Sequence, residues 1–152
     1  MAIGTDAAVE FFGTQDDLDS TSALVASAGF SIATDLVTWT NDDDAPAAAI
    51  TVELTMNVAA ADNSGVNLFF RALDVEGTND DSVPELEYPH TFVGFFPVLN
   101  GITTIQRSTK RVVLPNYKTS SVWEVYIQNL TKQQIDAGWT VFVTPITIGP
   151  HA

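Results

Sequence analysis

Two stretches in the last third of the chain alternate apolar and polar residues with a period of two. In Val122-Trp123-Glu124-Val125-Tyr126-Ile127-Gln128, the residues Trp123, Val125 and Ile127 fall on one side and Glu124, Tyr126 and Gln128 on the other. That period marks a half-buried strand. Trp139-Thr140-Val141-Phe142-Val143-Thr144 repeats it with β-branched residues dominating, which suits a pleated surface, and the apolar stretch as a whole runs from Ser121 to Ile148. Between the two, Thr131-Lys132-Gln133-Gln134 has the spacing of a capping box, in which the Thr131 hydroxyl takes the Gln134 amide and the Gln134 side chain returns the bond. This predicts one short helical turn near residues 132–137, ended by Gly138 at positive φ.

Earlier in the chain, Ile50, Val52, Leu54, Met56 and Val58 alternate with Thr51, Glu53, Thr55 and Asn57 and predict a strand with one core face. Asp62-Asn63-Ser64-Gly65 is turn chemistry, and Val66 to Val75 then carries apolar residues on both faces, as a central strand does. Thr91 to Leu99 is aromatic but broken by Gly94 and Pro97, which suits an edge or a bulge. Asn100-Gly101 signals a hairpin, and Phe30 to Thr34, Ile102 to Ile105 and Lys110 to Leu114 are further short strands. Asn41 to Pro46 and the polar stretch from Gly77 to Pro89 read as loops. Roughly eight short strands separated by Gly, Pro, Asn and Asp predict a single-domain, antiparallel, jelly-roll-like β-sandwich over residues 21–152. Residues 1–20, with Phe11 and Phe12 among acids, read as an N-terminal arm.

Charge divides the chain. Residues 1–89 hold 17 acids and one base, whereas residues 90–152 hold two acids and five bases, within a total of −13. One account is that acidic loops happen to lie early in the chain and keep the protein soluble; the sharper account is that an acidic surface of one subunit meets a basic strip of another around Arg107, Lys110, Arg111 and Lys118, in a homo-oligomer. Phosphate backbones are repelled by a charge of −13, so nucleic acid is not an expected partner. No stretch approaches the roughly 18 apolar residues that span a bilayer and the start lacks an export signal, so no membrane is expected either.

Catalytic chemistry finds little purchase. With no cysteine there is no disulfide, thiolate metal site or Cys nucleophile, and the two histidines, His90 and His151, sit at a loop edge and next to the last residue. Asp42, Asp43 and Asp44, or Asp74, Glu76, Asp80 and Asp81, offer oxygen ligands without the spacing of a calcium loop and read as solvated acids. No metal or other cofactor is expected. Asn129-Leu130-Thr131 fits a glycosylation sequon, but Thr131 is needed as a cap. Of the rings, Trp123 and Trp139 belong to strands and the core, while Tyr88 and Tyr117, in loops, are the candidates for stacking on a sugar.

Trp39-Thr40-Asn41-Asp42-Asp43-Asp44-Ala45-Pro46, Asn67-Leu68-Phe69-Phe70-Arg71, Val93-Gly94-Phe95-Phe96, Tyr126-Ile127-Gln128-Asn129, and Ala137-Gly138-Trp139 with Thr144-Pro145 resemble small virion structural proteins of tailed bacteriophages. The resemblance runs from about Thr5 to Pro150 and rests on a spread-out pattern rather than a site motif. It implies a non-enzymatic capsid decoration (cement) protein at the virion surface, bound to the major capsid protein or other virion proteins. Phe11 and Phe12 are then candidate capsid contacts, alongside Arg107, Lys110, Arg111 and Lys118. The alternative is a carbohydrate- or receptor-binding β-sandwich of a phage tail or fibre, with Tyr88 and Tyr117 as its platform. A glycan-cleaving enzyme with two carboxylates ranks third.

Overall fold

A computed structural model describes residues 8–24, 38–73, 79–85, 92–100, 102, 104–114 and 121–150. Over these residues the protein is an all-β single domain, two antiparallel sheets packed face to face. The strands are β1 (Ala8–Phe12), β2 (Asp16–Asp19), β3 (Trp39–Asn41), β4 (Ala47–Leu54), β5 (Gly65–Leu73), β6 (Phe92–Pro97), β7 (Gln106–Val113), β8 (Ser121–Asn129) and β9 (Thr140–Pro150). The first sheet has the order β1-β9-β4-β7, with β2 also pairing with β9, and the second has the order β3-β8-β5-β6. If β1 and β2 are counted as one interrupted strand, the eight described strands cross from sheet to sheet at every connection except β5 to β6, which stay in the second sheet, and this is the order that defines a jelly roll. No helix occurs among the described residues.

The alternation read from the sequence places the core. Ala48, Ile50, Val52 and Leu54 of β4 face Leu68, Phe70 and Ala72 of β5 and Trp123, Val125 and Ile127 of β8 across the interior, joined by Val141, Val143 and the rings of Trp39, Trp139 and Phe96. The Phe70 ring stands 5.9 Å from Trp39 and 6.1 Å from Trp123, both at tilted angles that avoid face-to-face stacking. β5 lies between β8 and β6, as its two apolar faces require, and β6 is an edge strand whose register with β5 shifts between Leu68 and Phe69.

β9 runs through Pro145, although it is flanked on both sides. Proline lacks the N–H that a central strand donates. The neighbouring edge is interrupted at this point: β2 pairs as far as Asp16 with Val143, β1 resumes at Phe12 with Ile146, and the Gly13 N–H bonds the Pro145 carbonyl at 2.8 Å. In a strand the N–H and C=O of one residue point the same way, so the missing donor falls where no strand needs it. A Cβ on Gly13 would lie 2.6 Å from Asp43 Oδ2, the tip of an exposed side chain that can swing aside.

Three expectations change. The helical turn near 132–137 does not form: Lys132 takes φ 62°, and Thr131 Oγ1 accepts the Gln133 N–H at 3.2 Å and donates to Asn129 Oδ1 at 2.6 Å, a turn of i to i+2 type. The side chain of a buried Asn129 outcompetes the capping box, and Ile135 then bridges to Leu24. Gly138 does adopt positive φ, at +85°. Over residues 8–19 the expected arm is the outer edge of the first sheet, with Leu18 in the core. Ile102, Thr104 and Ile105 lie outside any strand, because the Gln106 side chain, bonded to the Leu99 N–H and the carbonyls of Leu99 and Ile102, holds that connection in place of a ladder. The Phe30–Thr34 segment lies outside the described residues.

Candidate interaction surface

The register fixes which side chains share the outward face of the first sheet, because residues two apart on a strand point the same way. One row across the sheet is Phe12, Ile146, Ala47 and Val113. All four are apolar, on the face that a sandwich ordinarily makes polar. Phe12 and Val113, at the two ends of the row, are 65% and 85% exposed, and Ile148, on the next row, is 55% exposed. Ile146 and Ala47, in the middle, are buried. Arg111, one row to one side on β7, reaches Glu10, one row to the other side on β1, with Nη2 and Oε1 2.5 Å apart. The ion pair therefore crosses the sheet diagonally over Ala47 and Ile146, its methylenes covering them while the charged heads stay in water.

The far end of the same face is polar. Asp19, Thr140, Glu53 and Arg107 make one row, in which Thr140 Oγ1 donates to Asp19 Oδ1 at 2.7 Å and Arg107 Nε meets Glu53 Oε2 at 2.5 Å. On the next row Thr51 and Thr109 share a hydroxyl hydrogen bond of 2.7 Å, beside the half-buried ring of Phe142 on β9. The face thus grades from a charged end to an apolar end.

The structure brings Phe12, Arg107 and Arg111 onto this one surface. Phe11, half exposed, points to the opposite side of β1, its ring against Gly149. Lys110 also points away, toward the second sheet, with its ammonium 5.9 Å from the centre of the Phe96 ring. Lys118, Tyr88, Tyr117 and both histidines lie outside the described residues. Val113, Ile148 and Glu10 were missed by the sequence reading. Their signal is an outward β-position carrying an apolar or acidic side chain, and it becomes visible only when the register says which positions face outward.

The outward face of the second sheet buries two of its rings, while Phe92 on the edge strand is 50% exposed. Phe69 and Tyr126 point outward yet are buried, with Phe92 edge-on to Phe69 at 5.6 Å between ring centres. Beside them Arg71 Nη1 meets Glu124 Oε2 at 2.7 Å, the Tyr126 hydroxyl donates to the same oxygen at 3.1 Å, and Arg71 Nε donates to the Asp81 carbonyl at 2.7 Å. Burial pushes the Tyr126 phenol above its ordinary value, and the negative charge and hydrogen bond of Glu124 push it the same way. Burial alone would lower the Arg71 guanidinium, but the hydrogen bond and charge of Glu124, with Tyr126 and Asp80, override it and hold it above its ordinary value. This network is structural: it ties loop residues 80 and 81 down onto β5.

Between the sheets, Val52, Leu54, Val66, Phe96 and Gln106 line a void of only about 10 Å³, about the room that one water needs. Two open clefts, of about 300 and 190 Å³, lie along the edge where β2 meets β3, lined by Asp16, Asp17 and Asp42 and by Thr14, Asp16 and Asp43. Asp16 there accepts the Trp39 indole N–H at 2.8 Å. Asn41 closes the acidic β3–β4 turn by bonding both the N–H and the carbonyl of Ala45. Among the described residues no group of three or more His, Cys, Asp or Glu is placed to hold a metal, and no helix is long and apolar enough to cross a membrane. Asn129, in the sequon, is buried and bonds the carbonyls of Leu24 and Gln133. No protein-family model and no curated protein matches this chain.

Proposed function

We propose that this protein is a non-enzymatic structural component of a tailed-bacteriophage virion, a capsid decoration protein that docks on the major capsid protein lattice through the outward face of its first sheet. The observation that carries the reading is the exposed apolar row ending in Phe12 and Val113. Outward apolar side chains flanked by charge are what a sandwich needs to bind another protein surface, and they give a catalytic centre nothing to work with. The jelly roll suits repeated docking, since a modest contact repeated over a symmetric shell gains strength from copy number. The resemblance to small virion proteins names the shell.

The test is the copy number of this polypeptide in purified particles of the phage that encodes it, by quantitative mass spectrometry against the major capsid protein. Hundreds of copies per particle is the expected result. A handful of copies would move the protein to a tail or fibre and favour the carbohydrate- or receptor-binding reading, and absence from the particle would overturn the proposal.

A further inference from the structure

We infer that copies of this protein associate head to tail, the basic flank of one sandwich entering the acidic flank of the next. The inference concerns the protein's contact with itself and stands whether or not the virion role holds.

A sandwich has two flanks, where the edges of its sheets come together. On one flank β2 and β3 meet, joined by the bond from Trp39 to Asp16. Asp16, Asp17 and Asp19 lie on β2 and Asp42 and Asp43 in the turn after β3, around the two open clefts. Their hydrogen-bond donors are neutral where the contacts are known: the Trp39 indole to Asp16, the Gln15 amide to Asp17 and the Thr140 hydroxyl to Asp19. The negative charge therefore remains. On the other flank β6 and β7 meet, and β7 carries Arg107, Lys110 and Arg111, all exposed, with Arg107 paired to Glu53 of β4 and Arg111 to Glu10 of β1, so that among the described residues there Lys110 is the cation left to meet a neighbour's acids. Among the described residues Lys110 has the face of Phe96 beside it and no carboxylate.

Charges at a sheet edge ordinarily keep edges apart, because like meets like. Here the two edges of one sheet have opposite signs, so each repels its own kind and attracts the other. Strand direction agrees. β2 and β7 are separated by β9 and β4, and every neighbouring pair is antiparallel, so β2 runs opposite to β7. A copy displaced along the sheet sets its β2 against the first copy's β7 in the antiparallel sense that continues the sheet. The row Asp19, Thr140, Glu53, Arg107 then meets Asp19 of the next copy directly after Arg107, while Lys110 faces the acidic clefts. A two-fold dimer through either flank would place like charges together, so the contact is heterologous and closes as a ring or extends as a filament.

Sedimentation velocity on the full chain tests this. The wild type is expected to sediment as an oligomer at about 20 mM salt and to fall to the monomer at about 500 mM, where screening is nearly complete. R107E/K110E leaves both flanks acidic and D17K/D42K/D43K leaves both basic, so each alone is expected to be monomeric. An equimolar mixture presents complementary flanks at every contact and is expected to recover the wild-type oligomer. Thermal melts matching the wild type establish that the variants fold. A wild type that is monomeric at low salt would overturn the inference. So would variants that associate as the wild type does, or folded variants whose mixture stays monomeric.

Discussion

The two sheets of this sandwich treat their outward faces in opposite ways. On the second sheet Phe69 and Tyr126 point outward and are buried, Phe69 against the edge of Phe92 and Tyr126 with its hydroxyl on Glu124. On the first sheet Phe12, Val113 and Ile148 point outward and are exposed, crossed among the described residues by the Glu10–Arg111 pair. The same residue type therefore serves stability on one face and is left available on the other. An apolar side chain that has found a cover within its own chain contributes to folding, whereas one without a cover among the described residues is the kind of position the proposed docking would use.

The comparison is broken most directly by truncating one phenylalanine on each face. Phe69→Ala is expected to cost about 3–5 kcal/mol, as buried rings do. Phe12→Ala is expected to stay within about 0.5 kcal/mol of the wild type. Urea unfolding of both decides it, and equal losses would show that the first face is covered too. Next in size is Gly65→Ala at the start of β5, where a Cβ would lie 2.2 Å from the Phe96 carbonyl oxygen and 2.7 Å from the Phe95 ring. Backbone cannot yield there as a side-chain tip can, and a loss of about 1–3 kcal/mol is expected in the same assay.

Arg71→Met sharpens the account of the second sheet's face. It leaves Glu124 with the Tyr126 hydroxyl alone and takes the Arg71 donor from the Asp81 carbonyl, with an expected loss of about 1–2 kcal/mol and faster amide exchange at Asp81. The smallest effect is a pH dependence. The Tyr126 phenol is raised in the folded protein, so its neutral form is favoured there and its contribution to stability is complete below the ordinary phenol range near pH 10. That contribution is lost as pH rises from there through the folded value. Tyr126→Phe is expected to flatten the fall in urea midpoint above about pH 10, and an unchanged slope would count against the network.

Legibility in the sequence followed how local the determining physics is. The strands β4, β5 and β8 were readable because alternation and apolar content are properties of a few consecutive residues. β9 past Pro145 was not, because its tolerance of proline depends on a gap in a strand 130 residues away, marked by the Gly13 to Pro145 bond. The helical turn was misread for a related reason: Thr131 and Gln134 matched a local motif, but the side chain of Asn129, held at the end of a central strand, takes the threonine first. Of the candidate surface, Phe12, Arg107 and Arg111 were named from composition and charge. That they share a face with Val113 and Ile148, while Phe11 and Lys110 do not, is set by register between distant strands, which no single stretch encodes.

The most direct test of the docking face is cosedimentation of purified protein with particles lacking it, comparing the wild type with F12D/V113D. Both positions are exposed, so the double variant should fold and melt as the wild type does. The account predicts saturable binding of the wild type and at least about tenfold weaker binding of the variant. A folded variant that binds particles as tightly as the wild type would contradict it.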